Sequence, residues 1–160
     1  MASTIEPTLV DMVRYNTWAS RTLLTFCRGL TAETLLRAID GTYGTIPDTF
    51  LHLVHADTAF LGVFALDLPA DLPVRGTALD LAGIDALFER IAPFWEAAAR
   101  KAIAENVVFE TPRGAVRAGF VLAQLLNHGS EHRTQIQSLL SVAGIEAPLV
   151  DGWVYGGMRR

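Results

Sequence analysis

Histidine is the residue type in this chain best placed to do chemistry. His128 and His132 stand four positions apart, and the other two histidines, His52 and His55, lie together far upstream. On an α-helix a spacing of four rotates by only about 40°, so two imidazoles point the same way, one turn apart. That is how one helix supplies two ligands to a metal ion. A third ligand at a useful angle must come from a facing helix. The chain has one cysteine, Cys27, which excludes an internal disulfide and a thiolate zinc cage. A metal site must use histidine and carboxylate. Cys27 reads as a small buried core residue rather than a nucleophile.

The elements that must position these rings follow from periodicity. Leu9, Val13, Asn16, Ser20, Leu23, Cys27 and Leu30 recur in steps of four and three, which predicts a helix from about Thr8 to Leu30 with one buried seam. A second helix is expected from Thr45 to about Leu66. Thr45 is its cap, Pro47 falls in the first turn and Asp48 lies near the positive end. A third, from about Asp80 to Glu105, carries Ile84, Phe88, Ile91, Trp95, Ala98 and Ala102 on its seam and should continue through Pro93 with a kink. The fourth, Arg117 to Ala143, stops at Gly144. Its seam is Val121, Leu125, His128, His132, Gln135, Leu139 and Val142. A short helix capped by Thr31 is expected within Thr31 to Ile39, and a β-hairpin between Asn106 and Arg117. The tail from Pro148 should lie extended on the bundle, anchored by Trp153 and Tyr155. The fold class is all-α: an antiparallel four-helix bundle, residues 1–160 forming one domain. The long first connection can cross the end of the bundle.

The first and fourth seams are apolar at their ends and polar in the middle. An unpartnered buried polar group costs about 1–3 kcal/mol, so these positions need a reason. His52 heads its own seam with Ala56, Ala59, Val63 and Leu66, and the small alanines leave room for an ion. His55 lies about 60° round the helix from it. His52 is therefore chosen as the third ligand with His128 and His132, and His55 is kept as the alternative or as a pocket residue. Asp48, a turn before His52, either orients that ring or serves the helix start, and the second is preferred. Asn16, Tyr15 and Gln135 line a pocket or form a satisfied polar core. Asp57 is expected to pair away from the site, and Arg133 to form a salt bridge on the flank with Glu131 or a neighbouring helix.

The bulk composition bounds what such a site can serve. Of 160 residues 51% are hydrophobic and 19% charged, with a net charge of −4. A chain this apolar can bury a core. No basic stripe is present to neutralise phosphates, which argues against nucleic acid as a partner. No run approaches the roughly 20 apolar residues of a membrane span. Met1 to Val10 lacks the pattern of a secretory signal, so a cytoplasmic location is expected.

Three segments carry a resemblance. Asn127 to Ile136, NHGSEHRTQI, resembles the fourth-helix motif N-H-x-x-x-H-R-x-Q of the DinB/YfiT-like superfamily. Tyr15 to Ser20, YNTWAS, is similar to its first-helix Y-N-x-W-A-N, and His52 to Asp57, HLVHAD, to its second-helix H-[IL]-x-x-A-[DE]. Order and spacing agree along the chain. The resemblance implies a bundle with a three-histidine metal site in which His52, His128 and His132 are the ligands and His55 is not. It implies zinc or nickel as the ion, a homodimer, and a small-molecule substrate, with low-molecular-weight thiols used by characterised relatives. Ser20, Glu131 and Thr134 depart from residues common there; none is a proposed ligand, and Glu131 is expected on the flank. The expected function is metal-dependent activation of a small thiol or water, in a thiol transferase, hydrolase or isomerase. The alternatives are a non-catalytic metal- or small-molecule-binding bundle and a bundle with a vestigial site.

Overall fold

The structure, a computed structural model, describes residues 5–105, 108–111 and 114–158. Four long helices carry it: α1 (Ile5–Cys27), α3 (Ile46–Leu61), α4 (Leu81–Glu105) and α5 (Ala118–Val142). A short α2 (Ala32–Leu35) follows α1, a hairpin of β1 (Val108–Thr111) and β2 (Gly114–Arg117) precedes α5, and α6 (Gly152–Gly157) lies near the C-terminus. The strands pair antiparallel from Val108 opposite Arg117 to Thr111 opposite Gly114. Asn106, Val107, Pro112 and Arg113 of the expected hairpin lie outside the described residues.

Local signals account for most boundaries. Thr45 accepts the Asp48 N–H while Asp48 Oδ2 accepts the Thr45 N–H, a reciprocal cap that starts α3 with Pro47 in its first turn. Asp48 thus serves the helix start, the preferred reading. α5 ends on two bonds, Ile145 N–H to Leu140 O and Gly144 N–H to Ser141 O, with Gly144 at φ +72°. This closure needs a left-handed residue, which glycine adopts without strain. α4 runs unbroken through Pro93. Thr31 caps α2, which covers four residues of the expected stretch.

Three expectations are corrected. α1 begins three residues before Thr8 because Pro7 falls within its first turn, where its missing N–H costs nothing. α3 stops at Leu61, where the chain tightens into a 3₁₀ turn at Gly62–Phe64 and Ala65 turns left-handed at φ +46°. The tail is not extended: Asp151 Oδ1 accepts the Trp153 and Val154 N–H groups and nucleates α6. Tyr155 does pack there, 5.3 Å from Trp18 and 5.7 Å from Tyr15 between ring centroids, but Trp153 is 91% exposed and anchors nothing.

α1 packs against α4 and α5, and α3 packs against the same two helices, so α1 and α3 sit on a diagonal. The connection between them crosses the end of the bundle, carrying α2 and Tyr43. Arg14 pairs with Glu96 and Arg21 with Asp85, so α1 and α4 run antiparallel. One cluster of buried apolar side chains joins all four helices, with Leu23, Phe50, Phe88, Trp95 and Leu125 among its members. Among the described residues, no helix is long and apolar enough to cross a membrane.

Candidate metal centre

α3 and α5 bring three of the four histidines together. One ring nitrogen from each of His52, His128 and His132 lies within 4.8 Å of the others. The Nε2 atoms of His52 and His128 are 3.1 Å apart. Two imidazole nitrogens at that distance share one proton or turn lone pairs toward a common point. His132 is buried, and His52 and His128 are half-buried. Burial pushes the His52 and His128 pKa values down to about 4, with the neighbouring His132 adding to both shifts. Both rings are therefore neutral lone-pair donors at neutral pH, the state a metal ion requires.

The tautomer of His132 is set by a partner. Gln135 Oε1 accepts the Tyr43 backbone N–H at 3.1 Å, which identifies that amide atom as the oxygen. The same oxygen lies 2.8 Å from His132 Nδ1, so Nδ1 carries the proton and Nε2 keeps its lone pair. This is the outer contact by which proteins orient a metal-binding histidine. Gln135, one of the polar seam residues left open between pocket and core, thus holds the His132 ring and the Tyr43 backbone together. His128 Nδ1 is buried and has no hydrogen-bond partner among the described residues.

Tyr43 was not legible as a site residue. Its ring stacks on His52 at 4.0 Å and 22° and meets the edge of His132 at 5.6 Å. Phe60 meets His128 edge-on at 5.8 Å. Aromatic rings thus flank all three imidazoles.

His55 stands outside the cluster. Its Nδ1 accepts the Gly76 N–H at 3.4 Å, and with His52 it lines a cavity of about 380 Å³. It is a pocket residue, the second of its two expected roles. Burial and the nearby Arg75 lower its pKa. Glu131 is exposed on the flank, as expected. Burial pushes the Cys27 thiol up to about 12, which removes it as a nucleophile.

Arg133 corrects an expectation. It is 4% exposed and makes no flank salt bridge with Glu131. Its guanidinium donates to Asn16 Oδ1 at 2.8 Å and Ser20 Oγ at 3.0 Å, and it lies 5.9 Å from the Tyr15 ring centroid. Asn16 and Ser20, the polar middle of the first seam, therefore hold this arginine and form a satisfied polar core. Tyr15 donates to Val150 O. Asp57, buried with Oδ1 unpartnered, faces the same charge. Burial drives its carboxyl up to about 8 while Arg133 pulls it down. Gly129 makes the close approach of α1 and α5 feasible: a Cβ there would stand 2.3 Å from Asn16 Oδ1 and 2.7 Å from the Arg133 guanidinium.

A separate groove of about 470 Å³ runs between α1 and α4 beside Trp18. Its arginines, Arg14 and Arg21, are already paired with Glu96 and Asp85, and it is remote in character from the histidine chemistry.

The DinB family model matches residues 1–158. Among solved structures, a DinB-like protein from Bacillus cereus aligns with a TM-score of 0.68 at 19% identity, covering 89% of this chain and 95% of that one. At that identity the likeness shows a shared fold. No curated protein matches the sequence.

Proposed function

The chain belongs to the DinB family, and for this member we propose a metal-dependent enzyme in which His52, His128 and His132 hold one divalent ion, zinc or nickel, for work on a low-molecular-weight thiol or water. The observation that carries the reading is the convergence of three imidazoles from two helices within 4.8 Å. The residues fit the ion chemically: imidazole suits zinc and nickel, two of the rings are neutral at physiological pH, and Gln135 leaves the His132 Nε2 lone pair free. When bound by three neutral ligands, such an ion keeps its positive charge and open positions, and it lowers the pKa of water or a thiol held there.

The chain's own residues contribute placement and exclusion. Gln135 fixes His132, and Tyr43 covers one face of His52 and so holds its ring plane. The cavity beside His52 gives a small electrophile a place to sit. Thiol transfer is the preferred reaction, with hydrolysis and isomerisation as variants.

A second reading, a non-catalytic metal-binding bundle, is favoured by one observation. Among the described residues no carboxylate joins the three imidazoles, so general acid–base help is sparse. A panel of thiols and electrophiles assayed with wild type and His128→Ala separates the two. Turnover that falls by at least about a hundredfold in the variant is expected; turnover that His128→Ala leaves unchanged rejects the metal mechanism, and its absence throughout the panel favours the binder.

A further inference from the structure

The loop between α3 and α4 carries a cation to the wall of the cavity beside His52. Val74-Arg75-Gly76-Thr77 is a tight turn: the Thr77 N–H donates to Val74 O at 3.0 Å, and Gly76 takes φ +95°. A positive φ at the third position is what a type II turn demands. A Cβ at Gly76 would meet no atom within 4 Å, so glycine is required for backbone conformation and not for space. The Gly76 N–H then donates to His55 Nδ1, which ties the turn to α3 one helical turn from His52. His55 is 7% exposed, so the anchor is held by the packing around it. Arg75, at the second position of the turn, is in this way set against the cavity with Tyr43, Asp48, Leu51 and His52.

Arg75 is also uncommitted. Arg14, Arg21, Arg90 and Arg100 each pair with a carboxylate. Arg75 has no ion pair or hydrogen bond to its side chain among the described residues. The cavity it lines, about 380 Å³, is of a size that holds small molecules. We propose that Arg75 is the anion subsite of the histidine centre, gripping the carboxylate of a small substrate whose other end reaches the His52 side of the cluster. The inference rests on the metal reading above and narrows its substrate class.

A monoanionic carboxylate suits the subsite better than a phosphate. A guanidinium offers a planar pair of N–H donors that matches a carboxylate. Among the described residues one cation lines the cavity, and the Asp48 carboxylate on the same wall penalises a second negative charge. Asp48 accepts from the Thr45 hydroxyl and N–H and forms no ion pair with Arg75. Tyr43 and Leu51 supply apolar surface for the body of the ligand.

The test uses the full chain loaded with cobalt(II), whose visible absorption reports the atoms around the ion independently of turnover. It is titrated with 3-mercaptopropionate and with 3-mercaptopropanol, which differ at the carboxylate end alone. Wild type should bind the acid at least about tenfold more tightly than the alcohol, the gain expected of one charge-assisted contact. That preference should vanish in Arg75→Ala and Arg75→Gln and return in part in Arg75→Lys, with the alcohol bound alike by all four proteins. An acid preference that persists without Arg75 comes from the ion itself and overturns the subsite. So does a wild type that binds both thiols equally. Cobalt bands that fail to develop in wild type overturn the metal reading and the subsite with it, whereas bands that respond to both thiols regardless of residue 75 overturn the subsite alone.

Discussion

His132 and Arg133 are adjacent on α5, both are less than a tenth exposed, and they face different partners. Arg133 turns toward α1, where its Nη1 donates to Asn16 Oδ1 and Ser20 Oγ. His132 turns toward α3, where the Nε2 atoms of His52 and of His128, from α5 itself, come within hydrogen-bond distance of each other and His128 Nδ1 has no partner among the described residues. In the first cluster a donor meets acceptors supplied by the same chain. The second converges ring nitrogens from three imidazoles on one point, an arrangement that suits a cation. On the proposed reading, a buried polar patch is functional when its groups converge on one point, and structural when donors and acceptors match.

Substitutions should separate the two clusters. The largest effect is expected from Arg133→Ala, which strips Asn16 Oδ1 and Ser20 Oγ of their shared donor. Breaking such a buried arrangement costs about 3–5 kcal/mol, measurable by urea denaturation, while metal affinity of the folded protein should be unchanged. A parallel loss of metal affinity would merge the two clusters into one. Gln135→Ala should do the opposite. Metal affinity should fall by about 10–100-fold, with only about 1 kcal/mol lost from stability for the unmet Tyr43 N–H; competition with a chelator reads the first and denaturation the second.

A third effect is a pH dependence. The folded protein holds the Asp57 proton to about pH 8, whereas the unfolded chain releases it near its ordinary value of 3.8. A raised carboxyl pKa means that the stability associated with this group is full below the unfolded value and declines as pH rises between the two. Asp57→Asn should therefore lose less stability than wild type on going from pH 5 to pH 8. Parallel curves for the two proteins would show that Asp57 is ionised in the fold across that range.

Much of this was legible in residue spacing. The i, i+4 pair His128 and His132 sits on a seam whose apolar neighbours mark the buried side, and His52 heads a seam with small residues beside it. The same logic failed for Arg133 because it allowed each helix one buried stripe. α5 touches both α1 and α3, so a residue some 100° from His132 is still inside, against a different neighbour. Tyr43 and Arg75 were illegible for another reason. Both sit on connections, where no periodicity relates position to direction. The path of the chain across the bundle end places Tyr43 on His52, and one turn pinned by His55 places Arg75. The Thr45 cap and the Gly144 stop were readable because each is a local hydrogen-bond problem with few solutions. The Asp151 cap of α6 is equally local, but six residues are too few to announce a helix by periodicity.

The most direct test of the account is the metal content of protein purified without an affinity tag and reconstituted with zinc or nickel, compared with His52→Ala and His128→Ala. The account predicts about one equivalent in wild type, held at tetrahedral-type nitrogen distances of about 2.0–2.1 Å by X-ray absorption for zinc, and loss of the tight site in either variant. Less than about a tenth of an equivalent in reconstituted wild type, against the single ion expected of a three-ligand site, or equal retention by the variants, would contradict it.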